Sequence, residues 1–261
     1  MSAQALIDAL DRTAAEFGHP AEETIRRENW GKHLLELNLL LKSKGRRVLD
    51  VGGGLGVNLI ALAKLDQGIE VHLIDRFDEY REEMGNRMGN TDKAMKLLKN
   101  YGVKTETADI LEGKLPYSDG YFDTVTCFDV IEHLPVSPVG LLKEIKRTLK
   151  TGGELILGAP NAVSFFKIMK IILGQHPYIP FAEWMSGHYY GHFREYNAAE
   201  YRSLLAAAGF SRIKVLLVSE PTGTRAKRAV NPIIKAGFLL LALLEILVPR
   251  LRPSVYCISN K

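Results

Sequence analysis

Short hydrophobic runs alternate along the chain with longer segments of helical periodicity. The runs predict seven β-strands: Arg47–Val51, Glu70–Asp75, Lys104–Ala108, Phe122–Phe128, Glu154–Gly158, Arg212–Val218 and Ser254–Ser259. Helix-sized stretches separate the first five, and this spacing requires right-handed crossovers and a parallel sheet. We therefore predict a doubly wound, Rossmann-like α/β sheet, in which ligands bind at the carboxyl ends of the strands.

Helical patterns flank the predicted sheet. Residues 1 to about 44 are predicted to be helical, with an apolar face that includes Trp30. A hydrophobic helix is predicted over Ile233–Val248, between the last two strands. Asn197–Glu200 has the pattern of a capping box, and we expect its helix to end at Gly209.

Composition narrows the class of protein. The 261 residues suffice for one large α/β domain, and the net charge of +4 gives no indication of nucleic-acid binding. Cys127 and Cys257 lie in apolar runs, so we expect buried free thiols and a reducing cytosol. The N-terminal residues lack the continuous apolar stretch of a signal peptide.

The first strand runs directly into a glycine-rich loop. Its pattern, D-x-G-x-G-x-G, consists of Asp50, Gly52, Gly54 and Gly56. A dinucleotide-binding loop would need its third glycine where Val57 stands. The carboxylate of Asp50 disfavours a pyrophosphate and favours a cationic amino-acid group.

Acidic residues also end the next two strands. Asp75 closes the second strand, where a carboxylate can accept hydrogen bonds from both hydroxyls of a ribose. Asp109 follows the third strand, where it can accept from an adenine amino group while Ile110 packs on the ring. A structural alternative for Asp75 is that it caps a helix.

Six stretches in the same order resemble the class I S-adenosylmethionine (SAM)-dependent methyltransferases, especially the branch with the ubiquinone and menaquinone methyltransferases. The stretches are VLDVGGGLG, HLID, ADIL, LPYSDGYFDTVTCFDVIEHL, LKTGGELILGAPN and HFREYNAAEYRSLLAAAGF. Each motif is common by itself, but their ordered occurrence over residues 46 to about 218 is specific.

The resemblance implies an architecture and a set of cofactor-binding residues. It implies an N-terminal helical segment (1–44) before a methyltransferase domain (45–261), which has a seven-stranded sheet with an antiparallel last strand. Within that domain, residues about 160–197 cover the acceptor, and residues about 219–253 are an insertion where relatives have a short hairpin. The implied SAM-binding residues are Gly52, Gly54 and Gly56 at the methionine part, Asp75 at the ribose, Asp109 and Ile110 at the adenine, and Phe128 at the sulfonium, with Asp50 before the loop.

The catalytic candidates are His133 and His192. Transfer to a hydroxyl gains from a general base, and His133 is the first candidate because its ordinary pKa lies near neutrality. A loop-ordering role for His133 is the alternative. Some relatives bind a divalent metal through a Glu-x-x-Glu-His run and a distant histidine, which would correspond to Asp129, Glu132 and His133 with His188 or His192. We expect no metal, because the shorter Asp129 stands in place of the first glutamate.

Basic and aromatic residues mark two possible contact segments. Arg194, in the segment over the acceptor, either holds an anionic group or forms a salt bridge, which we favour. The insertion helix is too short to span a bilayer, and it carries Lys235 and Glu245. Its basic flanks favour peripheral contact with a membrane over packing or dimerisation.

These observations lead to one expected function and two alternatives. We expect O-methylation of a lipid-linked or amphiphilic small acceptor, such as a quinone precursor or a glycolipid sugar, in the cytoplasm or at the membrane surface. A soluble metabolite or sugar is the alternative acceptor, and a metal-assisted RNA 2′-O-methyltransferase is a more distant alternative. The sequence does not indicate the oligomeric state.

Overall fold

The protein, described by a computed structural model, consists of a central sheet with helices on both faces. The structure describes residues 2–18, 22, 25, 30–43, 45–77, 91–178, 185, 191–219 and 232–261. The helices are α1 (Ala3–Phe17), α2 (Trp30–Lys42), α3 (Val57–Leu65), α4 (Thr91–Asn100), α5 (Val139–Thr148), α6 (Phe165–Ile172), α7 (Ala198–Ala207) and α8 (Pro232–Leu247). The strands are β1 (Arg47–Val51), β2 (Glu70–Asp75), β3 (Lys104–Thr107), β4 (Phe122–Phe128), β5 (Leu149–Pro160), β6 (Ser211–Val218) and β7 (Ser254–Asn260), with 3₁₀ helices at Ile131–His133 and Pro249–Leu251.

The seven strands are ordered β3-β2-β1-β4-β5-β7-β6. The first five pair in parallel, whereas β7 runs antiparallel between β5 and β6. The strand order reverses between β1 and β4, and the carboxyl ends of these two strands therefore border the crevice where such sheets bind ligands. The predicted doubly wound sheet and its antiparallel last strand are confirmed.

Four predicted strands have different ends in the structure. β6 begins at Ser211 and β7 ends at Asn260, each one residue beyond the predicted bound. β3 ends at Thr107, one residue before the predicted end. β5 runs from Leu149 to Pro160, far beyond the predicted Glu154–Gly158, because β4 pairs with its start and β7 with its end. Hydrogen bonds to neighbouring strands thus extend β5 past the apolar run by which the sequence marks it.

The N-terminal helices share a hydrophobic core with the sheet. Leu10 of α1 and Leu37 of α2 are fully buried in one cluster with Ile60 of α3 and Leu73 of β2. Helices α5 and α7 pack on the other face, around Val125 of β4 and its neighbours. Helices α1 and α2 therefore contribute directly to the core beneath the glycine loop.

The local predictions for α7 and for the cysteines are confirmed. Asn197 accepts from the backbone of Glu200, and the Glu200 side chain accepts from the backbone of Asn197, as in a capping box. Gly209, just after the helix, has a φ of 84°, which suits a glycine at a helix end. Cys127 and Cys257 are buried free thiols. Within the described residues, no helix is both long and apolar enough to cross a membrane.

Candidate functional site

The glycine loop is fastened to the carboxyl end of β2. The Gly54 amide donates to Oδ2 of Asp75 at 2.7 Å, and the Gly52 amide donates to the Ile74 carbonyl at 2.8 Å. Gly52, Gly54 and Gly56 all have a positive φ, between 54° and 72°, which explains why glycine is needed there. Asp75 is buried at the end of β2, and its carboxylate orders the loop from below.

Asp50 lies behind the loop. It is buried, and its Oδ1 accepts from the Thr126 hydroxyl at 2.7 Å. A Cβ at Gly53 would come within 2.3 Å of Oδ2 of Asp50, so the loop backbone rests on this carboxylate. Burial raises the pKa of Asp50 to about 7. A cation bound at the loop would favour the ionised form of this carboxyl group and would be stabilised by it.

Asp109 and Ile110 follow β3 beside the loop. Oδ1 of Asp109 accepts from the Leu111 amide at 2.8 Å, and Oδ2 lies 3.2 Å from Nη1 of Arg76. Ile110 is half-buried against the core. The two residues thus present a carboxylate and an apolar side chain at the same edge.

One cavity joins these elements. The described residues that line it are Gly52, Asp75, Arg76, Ala108, Asp109, Ile110, Leu111, Asp129, Val130, His133 and Leu134. It extends from acidic groups after β2 and β3 to a histidine after β4. An elongated ligand with hydroxyl groups and a planar ring fits such a lining.

Lys32 from α2 reaches this cavity. Its ammonium pairs with Oδ2 of Asp129, the residue that follows β4. Asp129 has a φ of 53°, a left-handed conformation that is unfavourable for residues other than glycine. The N-terminal helix and the end of β4 are therefore joined by an ion pair at the cavity wall.

His133 and His192 meet next to the cavity. Their ring centroids are 4.8 Å apart at an interplanar angle of 84°. Nδ1 of His133 lies 3.1 Å from the Gly191 carbonyl, and Nδ1 of His192 lies 2.6 Å from Oε1 of Glu195. Because both partners accept, each Nδ1 carries the proton, and in the neutral rings Nε2 holds the lone pair.

The surroundings keep both imidazoles neutral. Burial lowers the pKa of His133, and burial together with His133 lowers the pKa of His192 to about 4. Glu195, nearly inaccessible, holds His192 on one oxygen and the ammonium of Lys167 on the other. The contacts from Lys167 to Glu195 and from Glu195 to His192 fix the orientation of the His192 ring. Because both imidazoles are neutral, the Nε2 lone pairs of His133 and His192 are available to accept a proton at neutral pH.

Glu132 lies beside the two histidines and is fully buried. Neither of its carboxyl oxygens has a hydrogen-bond partner among the residues that the structure describes. Burial raises the pKa of this carboxyl to about 7. An unpaired buried carboxyl group is costly, so it indicates a proton or ligand that the site is built to hold.

The same cluster has the donor set of a divalent-metal site. One ligand atom from each of Glu132, His133 and His192 lies within 4.8 Å of the others. One carboxylate with two imidazoles suits several divalent ions. Asp129 is not part of this group and instead pairs with Lys32, while His188 lies outside the described residues.

The remaining residues singled out by the sequence are Phe128, Arg194 and Lys235. Phe128 is half-buried at the end of β4 and packs edge-on against Tyr256 at 6.0 Å. Arg194 forms the favoured salt bridge, with Nη2 lying 2.9 Å from Oε1 of Glu200. Lys235 is in α8, but its side chain is outside the description.

Sequence reasoning missed two charged residues of the site, Lys32 and Glu195. Glu195 follows His192 by three residues, a spacing that could have suggested their pairing. No local signal marks Lys32, because it is 97 residues from its partner.

Comparison with known proteins gives a family match over most of the chain. The model of a family described as "Methyltransferase domain" matches residues 22–215. Among curated proteins, the ubiquinone biosynthesis O-methyltransferase of Xanthomonas euvesicatoria is 31% identical over 121 residues, which make up 46% of each chain. That of Paracidovorax citrulli is 31% identical over 124 residues, or 45% of each chain. The match thus spans less than half the length of these relatives.

Solved structures show the same fold at low identity. A SAM-dependent methyltransferase from Archaeoglobus fulgidus superposes with a TM-score of 0.58 at 20% identity, covering 92% of this chain and 97% of that one. Phosphoethanolamine N-methyltransferase 2 of Haemonchus contortus, in complex with SAM, gives 0.58 at 19% identity over 98% of this chain and 60% of that one.

Proposed function

This chain belongs to the class I SAM-dependent methyltransferase family, and we propose that it methylates an oxygen atom of a small lipid-linked or amphiphilic acceptor. The observation that carries this proposal is the pair of neutral histidines, His133 and His192, at the edge of the cavity. Neutral imidazoles suit an acceptor that must lose a proton, as a hydroxyl does.

In this proposal, the cofactor-binding roles follow the resemblance to SAM-dependent methyltransferases. Asp75 serves the ribose hydroxyls, Asp109 and Ile110 serve the adenine, Gly52, Gly54 and Gly56 form the loop at the methionine part, and Phe128 lies near the sulfonium. Gly52, Asp75, Asp109 and Ile110 line the cavity, which supports these roles. Asp50 acts from behind the loop, as a negative charge beneath the cationic amino group. SAM, when bound, supplies an electrophilic methyl group.

The chain's own residues then position and deprotonate the acceptor. His133 lines the cavity, and its Nε2 accepts the proton of the acceptor hydroxyl. Its Nδ1–H continues to donate a hydrogen bond to the Gly191 carbonyl. His192 packs against that ring and is held by Glu195. Alignment of the acceptor supplies most of the acceleration, since such a displacement needs no covalent intermediate.

A bound divalent ion is an alternative form of the same site. Glu132, His133 and His192 would hold it, and it would lower the pKa of an acceptor hydroxyl. The buried carboxyl of Glu132 favours this form. For a metal-free site, we expect methyl transfer to continue in the presence of a chelator. If transfer were lost on chelation and restored by a divalent salt, the site would bind a metal.

The identity of the acceptor is proposed from two kinds of support. Relatives named ubiquinone biosynthesis O-methyltransferases are 31% identical to this chain over 121 and 124 residues, which favours a quinone precursor over a glycolipid sugar. The apolar insertion favours an acceptor at a membrane surface and a cytoplasmic, peripheral location. A soluble metabolite or sugar is the alternative. An RNA acceptor would need a broad basic surface, which the net charge of +4 does not favour.

Radiolabelled transfer distinguishes these acceptors. Purified protein is incubated with SAM carrying a labelled methyl group and a cell extract, and the products are partitioned between organic and aqueous phases. We expect protein-dependent label in the organic phase, in an alkali-stable ether. Label confined to a water-soluble product would favour the soluble acceptor, and ribonuclease-sensitive label would identify RNA.

A further inference from the structure

Two helices present their apolar side chains to solvent. On α8, the residues between 50% and 67% exposed are Leu239, Leu240, Leu243, Ile246 and Leu247. On α6 and just after it, they are Phe166, Ile171, Ile172 and Leu173, between 58% and 68% exposed. We call these nine residues the α6/α8 surface. Exposed apolar patches of this kind mark contact sites for proteins or lipids.

The orientation of α8 is the reverse of that expected for a helix packed on a soluble domain. Its only acidic residue, Glu245, is buried, while Leu243, Ile246 and Leu247 around it are exposed. A surface helix normally buries its apolar stripe and exposes its charges. Among the residues that the structure describes, none covers the outward face of α8, so this face is available to an apolar partner.

Hydrogen bonds connect the segment before α6 to the segment after α8. The side-chain amide of Asn161, four residues before α6, donates to the carbonyls of Arg250 and Arg252, just after α8, at 2.9 and 2.7 Å. Asn161 is fully buried, so this connection is protected from water. The end of α8 and the start of α6 are thus parts of one region.

The charges around this region are basic. Lys170 lies over the Phe166 ring at 5.3 Å, and Arg250 is exposed after α8. The segments 161–178 and 232–253 contain no acid except the buried Glu245. Basic side chains around apolar ones suit an anionic bilayer surface. A second copy of this chain would bring like charges together.

We propose that the α6/α8 surface docks on an anionic lipid bilayer, with α8 lying in the plane of the interface. Its 16 residues extend about 24 Å, less than the roughly 30 Å of a bilayer core. Lys167 of α6 pairs with Glu195, and Glu195 holds His192. Helix α6 of the docking surface is therefore connected to the catalytic site through two side-chain contacts. This inference rests on the proposed function only for its acceptor, which would enter from the bilayer.

Vesicle co-sedimentation tests the proposal independently of methyl transfer. We expect partition of the protein onto phosphatidylcholine vesicles containing phosphatidylglycerol to be at least about tenfold stronger than onto phosphatidylcholine alone, and to fall with added salt. The double variant Leu243→Glu/Ile246→Glu and the single variant Ile172→Glu should each lower that partition at least about fivefold. Val136→Glu, at a residue 58% exposed outside the α6/α8 surface, is the matched control and should pellet like the wild type.

Circular dichroism and calorimetric titration with SAM verify that each variant is folded. The proposal is overturned if the wild type stays in the supernatant with anionic vesicles. It is also overturned if sedimentation velocity shows a dimer that Leu243→Glu/Ile246→Glu dissociates while vesicle binding is unchanged. If the protein pellets normally but methylates nothing in the extract, the docking surface stands and the proposed function fails.

Discussion

His133 and His192 have different supports, although their rings touch. His133 is held by a backbone carbonyl, whereas His192 depends on the buried carboxylate of Glu195. Replacing His133 by alanine should lower kcat by about 10²-fold or more, because a general base contributes on that scale. Replacing His192 by alanine should lower kcat as well, because its ring packs against His133. The Kd for SAM, measured by calorimetry, should change little, since neither ring is assigned to the cofactor.

A conservative variant separates proton transfer from packing. The amide of His192→Asn can still donate to Glu195, but it has no basic nitrogen. If His192 contributes basicity, the asparagine and alanine variants should be equally slow. Recovery of kcat in His192→Asn would instead assign His192 a positioning role beside His133.

Glu132 should make the stability of the protein depend on pH. Its folded-state pKa of about 7 lies above the ordinary 4.5, so the folded state keeps a proton that the unfolded chain releases. The stabilising contribution of the protonated Glu132 carboxyl is therefore lost as the pH rises through the interval between these two pKa values. In thermal melts without divalent ions, the Tm of Glu132→Gln minus the Tm of the wild type should increase by roughly 5 °C from about pH 5 to about pH 8.

Glu144→Gln provides a control of opposite sign. Arg147 lowers the pKa of Glu144, so this carboxylate stabilises the fold at neutral pH and loses its effect as the pH falls. Glu144→Gln should therefore be less stable than the wild type at about pH 8 and approach it in acid. An equal response of the two variants to pH would contradict the assignment for Glu132.

Local sequence indicated the site residues that terminate strands, but not those that support them. Asp75 and Asp109 could be found because a parallel sheet brings its carboxyl ends together. Lys32 and Glu195 act through contacts that only the packed helices create. The raised pKa of Glu132 was equally invisible, because it arises from burial rather than from neighbours in sequence.

At the scale of elements, strand positions were predictable wherever apolar content and pairing agree. β1, β2 and β4 have the predicted ends, because each is flanked by polar or glycine-rich turns. The ends of β5 were not predictable, since Leu149 pairs with Phe122 of β4, and Ala159 and Pro160 pair with β7, outside the apolar run. The outward face of α8 was likewise hidden, because a nearly all-apolar helix has no stripe to orient it.

The glycine loop gives a prediction at this scale. Gly52→Ala would place its Cβ within 2.4 Å of Cγ2 of Val130, at a φ of 72°. Both residues line the cavity, so we expect a loss of stability of about 2–4 kcal/mol together with weaker SAM binding. Denaturant titration and calorimetry measure the two effects.

Gly102→Ala is the matched control, with nearly the same φ, 71°, but no heavy atom within 4 Å of the added Cβ. It should show only the backbone cost, about 1–2 kcal/mol, with SAM binding unchanged. If the two variants were equally stable, the contact between Gly52 and Val130 would not be a constraint on the loop.

For the whole molecule, the sheet topology followed from the order of elements, but the place of the N-terminal helices did not. The sequence predicted an N-terminal helical segment over residues 1–44 without saying where it packs, and in the structure α1 and α2 pack against α3 and β2 in one cluster. Lys32 also extends from α2 to the cavity wall. The segment is therefore expected to unfold together with the sheet and not before it.

Leu10→Ala tests this cooperativity at a residue fully buried in α1. Because Leu10 belongs to the core shared with α3, its truncation should destabilise the whole protein by about 2–5 kcal/mol. Thermal melts followed by circular dichroism should retain one transition, shifted down by roughly 5–15 °C. Leu243→Ala, at a half-exposed leucine of α8, is the control and should shift Tm little. A separate early transition in Leu10→Ala, with the main transition unmoved, would show that the N-terminal helices fold as an independent unit.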